Sequence, residues 1–213
     1  MRITPAPEVD KALLERLDDD RPKGEKPSLT ELLFCLIKAY YRRRLPANER
    51  RNTPDSIIRM SFGRAAHSMF GQTEPEYERD GIVCHPDILY NGTPWELKTT
   101  RFSGKLSLWE NEGAEKMKTF IDQLCGQCAI LGTTQGFISP LHVITAHLKS
   151  ARVEFADDEI REMMDSLRHR RNVLLSCLLK ETRPAFEEGV APAYNWECGR
   201  CDIRAAGYCE GAP

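Results

Sequence analysis

No stretch of this sequence stays apolar for long enough to cross a bilayer, because His142, His147 or Lys180 interrupts each of the longest runs. The opening Met1-Arg2-Ile3-Thr4-Pro5-Ala6-Pro7 lacks the apolar core of a secretion leader. An excess of charge of one sign is missing too: 30 Lys and Arg oppose 32 Asp and Glu, for a net charge of -2. That balance excludes a histone-like polycation, so any contact with nucleic acid needs a local basic patch. Internal repeats and low-complexity blocks are absent. The expectation is a soluble, cytoplasmic protein.

What is present is an ordinary globular balance, with 41% hydrophobic and 29% charged residues in 213. A chain of this size buries enough apolar surface to fold without disulfides. Its eight cysteines therefore ask for another explanation. In a reducing compartment, clustered cysteines more often bind metal or do redox chemistry.

Residues 1–27 are polar and carry Asp18-Asp19-Asp20, and read as a loose arm. Ser28 and Glu31 form a capping box that opens a helix to about Arg44, with Leu32, Leu36, Ala39 and Tyr40 inward. Pro54 takes the first position of a second helix, which carries His67 and stops at Gly71. From Ile82 to Thr100 the period changes to two around Asn91-Gly92, a strong hairpin signal. A third helix spans about Asn111 to Leu131, and strands follow near Gly136–Leu148 and Arg152–Phe155. A long helix then opens in Asp157-Asp158-Glu159, whose acids suit its dipole, and ends before Pro184. Helices around a small mixed sheet, with a cysteine-rich tail, read as α/β.

A two-residue turn at Asn91-Gly92 sets Ile88 opposite Trp95 and Asp87 opposite Glu96. Lys98 lies further along the same face. Opposed residues have Cβ atoms about 4.5–5.5 Å apart, and like charges there repel. A divalent cation would resolve the conflict by taking an oxygen from each acid, with Lys98 beside it to orient or deprotonate a water. The bland alternative is a solvated strand face with surface ion pairs. Pro94 adds the prospect of a bulge.

Cys198, Cys201 and Cys209 lie in a Gly-containing tail with no apolar face to bury them. A C-x2-C turn followed by a third thiolate suits a tetrahedral sulfur site, which then needs a fourth ligand. Cys125 and Cys128 share a helix face with Leu124 and Leu131 and read as core, as do Cys84 and Cys177. Between Lys38 and Arg64, eight basic residues (Lys38, Arg42, Arg43, Arg44, Arg50, Arg51, Arg59, Arg64) face two acids, Glu49 and Asp55, a local +6. Such a cluster grips phosphates, with Tyr40, Tyr41 and Phe62 near for stacking on bases. A solvated helix end would look the same. A second basic run, Arg168 to Arg171, is equally ambiguous.

Pro86-Asp87 followed by Glu96-Leu97-Lys98 resembles the PD-(D/E)XK nuclease signature. Gly63-Arg64-Ala65-Ala66-His67 is similar to the histidine-bearing helix of its RecB-like branch. Gln123-Leu124-Cys125-Gly126-Gln127 resembles that branch's QxxxY motif, with Gln127, which cannot stack on a base, in the tyrosine position. Cys35 with Cys198-x2-Cys201-x7-Cys209 resembles the iron–sulfur frame of CRISPR-associated RecB-like exonucleases and AddB-type nucleases.

The resemblance runs from about Ser28 to Cys209. It implies a restriction-endonuclease-like α/β core over 28–183, a mixed central sheet flanked by helices, and an iron–sulfur segment over 184–213. It implies that Asp87, Glu96, His67 and the Leu97 carbonyl hold Mg2+ or Mn2+. Lys98 would position the attacking water, and Gln123 would contact DNA or the site network. Cys35, Cys198, Cys201 and Cys209 would hold a structural [4Fe–4S] cluster, with Zn2+ the alternative that spacing leaves open. Arg42, Arg43, Arg44, Arg64 and Tyr41 would meet the strand. The expected activity is metal-dependent exonuclease hydrolysis of single-stranded DNA. The setting would be CRISPR spacer processing beside integrase proteins, or a viral counterpart. The rivals are a metal-stabilised DNA-binding subunit without nuclease activity, and a redox sensor.

Overall fold

The computed structural model describes residues 17, 24–46, 49, 54–69, 76–100, 117–187, 190–194 and 196–211. The capping box forms as expected: the Ser28 hydroxyl accepts from the Glu31 amide, and the Glu31 carboxylate accepts from the Ser28 amide. The helix it opens is short, however. Helix α1 (Leu29–Leu33) ends where the chain turns extended at Phe34, and α2 (Leu36–Arg44) starts afresh after Cys35. The single helix to Arg44 is corrected to two. No glycine or proline marks the break; distant partners make it by satisfying the backbone groups it frees. Cys35 N–H donates to Glu197 Oε2 at 2.7 Å, and Leu36 N–H donates to the Val190 carbonyl at 3.2 Å. The Arg170 guanidinium donates to the carbonyls of Leu32 and Phe34.

Helix α3 (Pro54–Ser68) begins at its proline, and the stop at Gly71 falls outside the described residues. Next comes a hairpin that the periodicity does not reveal. Strand β1 (Tyr77–Arg79) pairs antiparallel with β2 (Ile82–Cys84) across Asp80-Gly81, both at positive φ. Strand β3 (Ile88–Tyr90) pairs with β4 (Thr93–Thr100) across Asn91-Gly92 in the expected register, Ile88 opposite Trp95 and Tyr90 opposite Thr93. The ribbon does not extend back to Ile82. His85-Pro86-Asp87 interrupts it, and β2 belongs to a separate two-stranded sheet. In place of a ladder bond, the Asp87 side chain accepts the Leu97 N–H at 2.8 Å.

Helix α4 (Lys118–Leu131) carries the chain from β4 to the parallel strand β5 (Gln135–His142). Its expected start near Asn111 lies outside the described residues. Strands β6 (His147–Leu148) and β7 (Ala151–Glu154) run antiparallel along the far edge of β5. Close approach holds α4 in place: a Cβ at Gly136 would lie 2.6 Å from Leu124 Cδ1, and one at Gly126 would lie 2.5 Å from Leu29 Cδ1. Helix α5 (Asp157–Leu179) packs Met164, Leu167 and Leu174 into the core with Leu32, Leu36 and Tyr40. The tail returns to this core through a 3-10 turn at Cys198–Arg200 and α6 (Asp202–Ala205). The result is a mixed α/β fold. Among the described residues, no helix is long and apolar enough to cross a membrane.

Candidate active site

Strand β4 presents Glu96 and Lys98 on the face that α4 covers. The loop after β2 brings Asp87 alongside, and His67 reaches in from the last turn of α3. Glu96 is 0% exposed and most of Asp87 is buried. A solvated strand face is thereby excluded. Lys98 forms an ion pair with Glu96 Oε1, while Gln127 Nε2 donates to Glu96 Oε2 at 2.6 Å. His67 Nδ1 lies 3.4 Å from Asp87 Oδ1, and its Nε2 lies 3.2 Å from the Leu97 carbonyl oxygen. A neutral imidazole can donate to only one of these acceptors at a time.

Burial, and then the charge of Glu96, push the Asp87 pKa up to about 6, against the pull of Lys98 and His67. Burial also disfavours the Lys98 ammonium, but Glu96 and Asp87 outweigh it and the net shift is upward. The two acids thus hold Lys98 as a cation beside Glu96.

The donor set suits a hard divalent ion: two buried carboxylates, an imidazole and a backbone carbonyl. The Gln127 Oε1 atom adds a buried oxygen with no hydrogen-bond partner among the described residues. As arranged, no three His, Cys, Asp or Glu side chains among the described residues stand in metal-holding geometry. Lys98 and His67 instead hold the carboxylate oxygens that a cation would take. Gln123 sits one turn before Gln127 on α4, half-buried.

No protein-family model and no curated protein matches this chain. Among solved structures, it aligns with the protein SSO0001 at a TM-score of 0.59 and 16% identity, over 93% of each chain. The fold is shared along nearly the whole length. LHK-Exo, solved in complex with dAMP, aligns at a TM-score of 0.42 and 14% identity, over 73% of this chain and 89% of its own. A phage-related exonuclease from Haemophilus somnus 129PT aligns at 0.36 and 14%, over 53% and 66%. Both alignments are too loose to bear on what this chain does.

Cys35, Cys198, Cys201 and Cys209 all line one cavity of about 20 Å³, walled by Ile37, Phe186 and Ile203. Cysteines from both ends of the chain thus line the same small cavity, although no three of them stand in metal-holding geometry as arranged. Burial raises the Cys35 thiol to about 11 and the Cys201 thiol in the same direction. Cys84, Cys125 and Cys128 are buried, and Cys177 packs against the core, as their apolar neighbours suggest.

The basic cluster is engaged by the chain's own acids. Arg42 bonds Asp202 at 2.9 Å, Arg43 bonds Glu31 at 2.7 Å, and Arg44 bonds Glu181 at 3.0 Å. Arg64 donates to the Leu17 carbonyl at 2.6 Å, and Tyr41 packs between Tyr40 and Tyr208. Phe62 is exposed, whereas Arg50 and Arg51 lie outside the described residues. Each described basic residue of the cluster therefore has a partner within the chain. The second run is likewise structural: Arg168 pairs with Asp80 and Asp165, and Arg170 is buried. Gly63 makes no close approach to the described residues, since a Cβ there would meet none of them within 4 Å.

One functional candidate is not apparent from motif and spacing: Glu197, which ties Cys35 to the tail. Gln127, which the motif places in the tyrosine position, caps Glu96. Gln127 has a visible signal, a polar residue inside the apolar run from Leu124 to Ile130. Glu197 has none.

Proposed function

We propose that this chain is a divalent-metal-dependent deoxyribonuclease that hydrolyses single-stranded DNA from an end. The observation that carries the reading is the buried Asp87–Glu96 pair with Lys98 as its neighbouring cation. Such a concentration of like charge is costly in a fold and useful for gathering a cation. When bound, Mg2+ or Mn2+ would offset phosphate charge and lower the pKa of a water. Asp87, Glu96, His67 and the Leu97 carbonyl would hold it. Lys98 orients the water and faces the phosphate, and α4 closes the site from behind. The four-cysteine cavity would take a [4Fe–4S] cluster or Zn2+, joining the α1–α2 junction to the tail. Hydrolysis needs no electron carrier, so its role is structural. Spacer processing beside CRISPR integrase proteins is the proposed setting, on the motif resemblance alone.

The test is Mn2+-dependent digestion of end-labelled single-stranded DNA, with wild type and Asp87→Ala prepared anaerobically and assayed for iron. Wild type should degrade the strand, and the variant should fall by at least about 100-fold with its iron content unchanged. If both are inert yet bind the strand in a salt-dependent manner, the chain is a DNA-holding subunit instead.

A further inference from the structure

Gln127 is only 1% exposed, and Leu124, Cys125, Cys128, Ala129 and Ile130 around it on α4 are buried as well. Burying a primary amide is costly unless its hydrogen bonds are made. Only some of them are: Nε2 donates to Glu96 Oε2 at 2.6 Å, while Oε1 is buried with no partner among the described residues. The amide cannot be turned over, because Oε1 would then face a carboxylate oxygen. A methionine would fill the same space with no unpaired carbonyl. Packing alone gives no reason for a glutamine here.

The reason lies in Glu96. Its two oxygens are unequal: Oε2 is capped by a neutral donor anchored on a packed helix, and Oε1 faces Lys98. A carboxylate capped on one oxygen offers a cation only the other. We infer that Gln127 is a positioning residue that fixes Glu96 as a one-oxygen ligand and so sets the affinity of the site for its divalent ion. This rests on the metal-dependent reading above. Outer-shell partners of this kind typically change metal affinity by about 10–100-fold.

The test titrates Mn2+, followed by electron paramagnetic resonance, into wild type, Asp87→Ala and Gln127→Met, with thermal melts of each metal-free protein. Wild type should bind one ion that Asp87→Ala loses. Gln127→Met should bind it at least about 10-fold more weakly. Its Mn2+ requirement for cutting should rise while its KM for DNA stays unchanged. A Gln127→Met protein that binds Mn2+ like wild type overturns the inference and leaves the nuclease reading standing. Wild type and Asp87→Ala titrating alike would remove the reading and the inference together. Should Gln127→Met not fold, the wild-type side-chain amide resonances of Gln127 decide. Slow exchange with solvent and a shift on adding Mg2+ are expected, whereas fast exchange overturns the proposal.

Discussion

Replacing Asp87 with asparagine should stabilise the metal-free protein at pH 7.5 and, on the nuclease reading, abolish strand cutting. Both effects come from one cause. Burial and Glu96 raise the Asp87 pKa from 3.8 to about 6, so the folded chain holds this proton more tightly than the unfolded chain does. Above pH 6 the folded state therefore carries an ionised group it disfavours. A shift of this size corresponds to a penalty of up to about 3 kcal/mol, lost progressively as pH falls from 6 toward 4. Asparagine removes the charge and keeps an oxygen to accept the Leu97 N–H, which Asp87 holds at 2.8 Å. The melting temperature at pH 7.5 should rise by roughly 6–12 °C. That gain should shrink on acidification, where wild type is itself protonated. Mn2+ should raise the melting temperature of wild type and leave Asp87→Asn unmoved. A variant no more stable than wild type at pH 7.5 would show that Asp87 is not held as a disfavoured charge.

The part of this site that is local in sequence is legible there. Asn91-Gly92 sets the register of β3 against β4 as far as Ile88 opposite Trp95; Asp87 lies just beyond the ladder and stays near Glu96 through its bond to the Leu97 N–H. The burial that turns two acids into a candidate site is not local. It comes from α4, whose Gln127 lies 31 residues from Glu96. Asp80-Gly81 is the same class of turn signal as Asn91-Gly92, but running Ile82 into the next hairpin hides it. The partners of the basic cluster are hidden for a related reason. Counting charge along the chain cannot show that Asp202, from the tail, binds Lys38 and Arg42. That carboxyl is held below its usual range: burial would raise it, and the two cations outweigh burial. The α1–α2 break is the least legible feature, since all its determinants lie more than 130 residues away.

Those determinants predict that Arg170→Met is strongly destabilising. Arg170 is 5% exposed on α5, and its guanidinium reaches the carbonyls of Leu32, Phe34 and Val190. Burial pulls its pKa down, with Glu197, Cys35 and Tyr194 opposing. One cation thus ties the end of α1, the break after it and the returning tail. Methionine matches much of the volume and supplies no donor, so the Leu32 and Phe34 carbonyls lose this partner, while the Val190 carbonyl keeps the Leu36 N–H. Leaving each buried acceptor unsatisfied typically costs about 1–3 kcal/mol, a sizeable share of a domain's total stability. The loss should fall first on the junction. With the break and residues 190–194 released, Cys35 no longer has to meet Cys198, Cys201 and Cys209. In the metal-free variant these four thiols should react readily with a thiol reagent under native conditions. Cys84, Cys125 and Cys128, buried elsewhere, should stay protected until global unfolding. Iron incorporation should drop in parallel. An Arg170→Met protein with the wild-type denaturation midpoint and unchanged thiol protection would mean that Glu197 alone, through its bond to the Cys35 amide, suffices to dock the tail.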